Sequence, residues 1–123
     1  MAKTKALKTG ELQLGEVLAL HAESEKVIKE NLDGDLRFDL YNLMKETLEH
    51  KKTLEKVNFE TIQKHGKEVE KDEWKVDDDK LQDYQKEMDE VLIKVVKIKS
   101  RVSLKSLKSH KSENTFALFA VAE

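Results

Sequence analysis

Apolar positions along this chain repeat first at helical spacing and later at every second residue. Val17, Leu20, Val27 and Ile28 lie near one helical face, and Leu14 and Leu18 widen it. A first helix is predicted over 11–31, with Thr9 as its N-cap and Glu11 at the positive end of the macrodipole. Asp33-Gly34-Asp35 predicts a tight turn in which Gly34 takes positive φ. A second helix is predicted from Leu36 to His65. Leu36, Leu40, Leu43, Met44 and Leu48 form its apolar stripe, which Leu54, Val57 and Ile62 continue. Gly66 would end it as a left-handed C-cap. Thirty helical residues span about 45 Å. The short link makes residues 10–66 an antiparallel helical hairpin.

Residues 67–78 alternate weakly, with Trp74 and Val76 on one side, which predicts a short hairpin or an ordered loop. One of Asp77, Asp78 and Asp79 should cap the next helix, over 79–95. There Leu81, Tyr84, Met88, Val91 and Val95 follow spacings of three and four, with Leu92 thickening the face. Such a seam of about two heptads is too short to stand alone and should pack on the hairpin. The period then becomes two. Val96, Ile98, Val102 and Leu104 alternate with Lys97, Lys99, Arg101 and Lys105, which predicts one amphipathic strand. After a polar link with a cap at Ser112, residues 116–121 form an apolar tail, as one turn of helix or a short strand. The expected architecture is a single α+β domain, mainly α. It has an extended basic arm over 1–9 and a strand with its tail over 96–123.

Composition thins the core this architecture can hold. Charged residues are 39% of the 123 and aromatics 6%, against a usual charged share of about 25%. Elongated helices suit such a chain, as does a subunit that completes its core against a partner. Proline is absent, so nothing forces a helix to break. Cysteine is absent too, which excludes disulfides, thiolate zinc sites and cysteine nucleophiles. No stretch approaches the roughly 20 apolar residues of a membrane span. Nothing behind Met1-Ala2-Lys3-Thr4-Lys5 reads as a signal peptide. A cytoplasmic protein without membrane contact is expected.

Candidate chemistry is sparse. His21, His50, His65 and His110 are widely spaced and form no His-x-x-x-His pair, so surface or capping roles are expected. Asp77-Asp78-Asp79 lacks the spacing of a calcium loop. The four glycines are isolated, and no phosphate cradle or nucleophile elbow can be drawn from them. The expectation is a protein that is not an enzyme, with no catalytic residue, metal site or cofactor.

Charge is segregated along the chain. Lys94 to Lys111 holds seven Lys or Arg and no acid, whereas Glu68 to Glu90 holds eleven acids and four Lys. Lys97, Lys99 and Arg101 would line one strand face, able to meet an acidic partner or a nucleic-acid backbone. Alternatively they protect a sheet edge from aggregation, or the two charge blocks neutralise each other. Base readout is disfavoured because interleaved arginines and aromatics are lacking. Phe116 and Phe119 would either cover the hairpin or dock on a neighbouring subunit. Trp74 is a core plug or an interface anchor.

The leucine-rich first helix, the Gly-centred turn and the long helix ending in Lys64-His65-Gly66-Lys67 precede an acidic excursion through Trp74-Lys75-Val76. Tyr84-Gln85-Lys86-Glu87-Met88-Asp89-Glu90-Val91-Leu92 then leads to Val96–Ile98 and Val102-Ser103-Leu104. This order of elements resembles short proteins of tailed bacteriophages, which often lie among or beside morphogenesis genes. The resemblance covers most of the chain and implies a phage origin and a non-catalytic role. Together with the thin core and apolar tail, it leads to the expectation of a structural or assembly protein. Its partners would be copies of itself or another virion or host protein. The alternatives are a small regulator that blocks a host or phage protein, and a weak nucleic-acid binder through 94–111.

Overall fold

Gly10 takes a φ of +85°, a conformation that side chains disfavour, and turns the chain before any helix can start. This is a computed structural model, and it describes residues 8–110, 115 and 117–123. The first element among the described residues is therefore a strand, β1 (Glu11–Gln13), and α1 (Leu14–Val27) begins three residues later than the apolar pattern predicts. β1 pairs antiparallel with β4 (Val95–Lys97), with Leu12 opposite Val96 and Glu11 opposite Lys97. The pairing gives these amides partners that the first turn of a helix would have left open. Glu16 accepts a hydrogen bond from the Gln13 amide at 3.0 Å, and this fixes the start of α1. Thr9 caps nothing.

α2 (Gly34–His65) is the axis of the molecule. Asp33 is its N-cap, accepting from the Leu36 amide at 2.7 Å. Gly34 lies inside the first turn of α2 and has no positive φ, so the predicted glycine turn is in fact an aspartate cap. Gly66 is likewise no left-handed cap. Its backbone is extended and it opens β2 (Gly66–Glu70), which pairs antiparallel with β3 (Glu73–Val76). Glycine suits the position for another reason: a Cβ there would collide with the Lys75 carbonyl across the hairpin.

A 3-10 turn, Asp78–Lys80, leads into α3 (Leu81–Leu92). None of the three aspartates caps through its side chain; the Asp77 carbonyl accepts from the Lys80 amide at 2.9 Å instead. α3 lies against α2 and touches α1, yet no residue of it is fully buried. Lys64 and His65 anchor it to the end of α2 by bonding Glu87 at 2.5 and 3.0 Å.

The predicted strand beyond Val96 holds only to Lys97. Burial still alternates, with Ile98 and Val102 buried and Lys97 and Lys99 exposed, but the backbone partners change. The amides of Lys99 and Ser100 donate to the Glu46 carboxylate at 2.7 and 2.8 Å. Val102 bridges to Ala122. Ser103 caps α4 (Leu104–Ser109), accepting from the Ser106 amide. A 3-10 turn, Ala117–Val121, then returns onto α1, and Glu23 accepts from the Ala117 and Leu118 amides at 2.8 and 2.6 Å.

The core sits at the N-terminal half of α2. It joins Val17, Leu20 and Val27 of α1 to Leu36, Leu40 and Leu43 of α2, closed by Ile98, Val102, Leu107, Leu118 and Val121. Beyond this core, α3 and the β2–β3 hairpin pack against α2.

Candidate functional site

Lys97, Lys99 and Arg101 do not form one continuous cationic face. Lys97 and Lys99 are exposed, while Arg101 is half-buried and engaged within the chain. Its guanidinium donates to the carbonyls of Ile98, Ser100 and Thr9 and lies 3.5 Å from the Glu123 carboxylate. Arg101 thus ties the start of the described chain to the returning tail. Glu11 lies opposite Lys97 in the sheet and dilutes the charge there.

The tail folds back within its own chain. Leu118 and Val121 are fully buried, whereas Phe119 stays 46% exposed on the outer side of the turn. Phe116, Ser112 and residues 1–7 of the predicted basic arm lie outside the described residues. Trp74 is half-buried and meets Phe59 of α2 edge-to-face, with ring centroids 6.5 Å apart at 82°. It pins the hairpin to α2.

His21 differs from the surface or capping role predicted for it. Only 6% exposed, it shares Nδ1 with Thr47 Oγ1 at 2.7 Å and faces Glu25 through Nε2 at 3.1 Å. Its partner Thr47 also lies in the core, one helix away, and no spacing rule joins residues 26 apart. His110 bonds Glu30 at 2.7 Å and packs α4 against the end of α1. Among the described residues, no group of three or more His, Asp and Glu is placed to hold a metal ion.

Large apolar side chains also line a second face of α2. Phe38, Tyr41, Leu48 and Phe59 point away from the core, and Phe38 is 68% exposed. Ile62 is half-buried at the end of the same row. Lys45, Lys52 and Glu55 fill the remaining places, all exposed. Leu48 and Ile62, predicted to extend the core stripe, belong to this outer row instead. Its aromatics were not recognised in the sequence because three charged residues interrupt the apolar pattern. The spacing of three and four was the signal that could have found it.

Beside this row, α1, α2 and α3 leave an open groove of about 380 Å³. Leu18, Leu54, Met88 and Leu92 form its floor, and Asn58 accepts a hydrogen bond from the Tyr84 hydroxyl at its rim. The groove exists because α3 meets its neighbours without being buried by them. No helix among the described residues is long and apolar enough to cross a membrane.

Comparison with protein-family models, with curated proteins and with solved structures finds no match to this chain.

Proposed function

We propose that this chain is a non-catalytic structural or assembly protein, of tailed-bacteriophage origin, that acts by packing against copies of itself or another virion protein in the host cytoplasm. The observation that carries this reading is the exposed row Phe38, Tyr41, Leu48 and Phe59 on the longest helix. Large aromatics gathered on one face of a small protein mark a contact surface more often than scattered apolar residues do. The half-covered α3 seam supports the same reading, since a helix with this spacing gains most from a partner that completes it. Nothing in the reading calls on the basic segment to bind nucleic acid.

The test is the mass in solution, by size-exclusion chromatography with light scattering over a concentration series. A defined multiple of 14.2 kDa supports self-assembly. A mass of one chain at every concentration would overturn it and move the reading to a regulator that blocks another protein.

A further inference from the structure

The outer row of α2 has an internal symmetry that its composition hides. Its members follow spacings of three and four from residue 38 to residue 62, the seam of a coiled coil. They are also symmetric about His50: Phe38 mirrors Ile62, Tyr41 mirrors Phe59, Lys45 mirrors Glu55 and Leu48 mirrors Lys52. A second copy running antiparallel would therefore meet each position with its mirror.

We infer that α2 of one copy pairs antiparallel with α2 of a second copy through this row, about a two-fold axis at the level of His50. The inference rests on the assembly reading and names its partner and geometry. Charge selects the orientation. In a parallel, in-register pair Lys45 faces Lys45, Lys52 faces Lys52 and Glu55 faces Glu55, three like-charge contacts. In the antiparallel pair Lys45 of each copy faces Glu55 of the other, so opposite charges meet twice. Leu48 faces Lys52, whose aliphatic stem covers it while the ammonium reaches water. Phe38 meets Ile62 and Tyr41 meets Phe59, which keeps large apolar side chains together at both ends. Trp74, edge-on to Phe59, adds an aromatic wall beside Tyr41 of the second copy. One patch serves both copies, as a two-fold interface requires.

The test uses the full chain, which has no cysteine of its own. In the Phe38→Cys, Ile62→Cys double variant the two thiols of one chain lie about 36 Å apart along the helix, too far for an internal disulfide. Oxidation should give a covalent dimer from this variant and none from Phe38→Cys alone. Lys45→Glu should weaken association on the order of tenfold, and adding Glu55→Lys should restore it. Circular dichroism checks that each variant keeps its helix content. A covalent dimer from Phe38→Cys alone would overturn the antiparallel arrangement. An oligomer that neither cross-links through the double variant nor responds to Lys45→Glu would overturn the α2 seam and leave the assembly reading standing. A wild-type chain that stays single at all concentrations would remove the α2 pairing and the self-assembly it rests on.

Discussion

The guanidinium of Arg101 occupies the space beside Gly10 where a Cβ would stand. Gly10 also holds a φ of +85°, which costs about 1–2 kcal/mol for a residue with a side chain. Gly10→Ala should therefore destabilise the protein by about 1–3 kcal/mol. Gly15 is the contrast. A Cβ there meets only Leu92 atoms at 3.6 and 3.8 Å, ordinary contact distance. Gly15→Ala should be neutral or stabilising by up to about 1 kcal/mol. Urea unfolding of both variants measures the opposed signs; equal effects would mean that folding does not depend on the positive φ of Gly10.

His21 and Thr47 form a buried polar pair across α1 and α2. The Thr47 hydroxyl lies 2.7 Å from His21 Nδ1 and 3.0 Å from the Leu43 carbonyl, so it bridges the imidazole to the α2 backbone. Thr47→Val keeps the shape and removes the hydroxyl that His21 Nδ1 meets, which should cost about 1–3 kcal/mol. Thr47→Ser keeps the hydroxyl and should recover most of that loss in the same unfolding measurement.

Glu46 couples the middle of α2 to the chain after β4, and it should make stability fall in acid. Burial pushes its carboxyl up, but the Lys99 and Ser100 amides together, with the nearby His50, hold it below its ordinary value. A carboxyl lowered in the folded state contributes stability that is present above its unfolded value and is lost as pH falls through the folded one. Thermal unfolding of wild type should therefore drop below about pH 4.5. Glu46→Gln should be less stable at neutral pH and lose less on acidification. An unchanged pH profile in this variant would count against the coupling.

The returning tail should matter for folding, with different weights for its two large side chains. Leu118 is fully buried and Phe119 is 46% exposed. Leu118→Ala should cost about 2–5 kcal/mol, and Phe119→Ala no more than about 1 kcal/mol. Deleting residues 112–123 removes Leu118 and Val121 together and should abolish the cooperative unfolding transition. A truncated chain that unfolds like wild type would show that the tail is not part of the core.

Much of the architecture was legible in residue spacing. Leu36, Leu40 and Leu43 announced α2, and Val17, Leu20 and Val27 announced α1, because burial on one helical face leaves a periodic trace. The strand β1 left none. Glu11–Gln13 is too short to show a period, and its pairing with residues 95–97 is a long-range fact. Val96 to Leu104 misled in the opposite sense. Its alternation reports real alternating burial, but Glu46, the Val102–Ala122 bridge and the Ser103 cap supply its backbone partners in place of a second strand. The segregated basic charge was visible, while the engagement of Arg101 with carbonyls from residues 9 and 98 required the fold. The outer row of α2 was written at heptad spacing, and its charged centre concealed it.

The closure of the core by Leu118 and Val121 has a kinetic side. These residues share one core with Val17 and Leu20, roughly a hundred positions earlier, so the contacts that complete the core are strongly non-local. Such non-local contacts slow folding. While residues 14–65 leave the ribosome, the leucines of α1 and α2 can meet each other, but the side that the returning tail covers stays open until residue 121 has been added. The nascent helical hairpin therefore presents a sticky apolar face until then, a window in which chaperone binding or premature association competes with native closure.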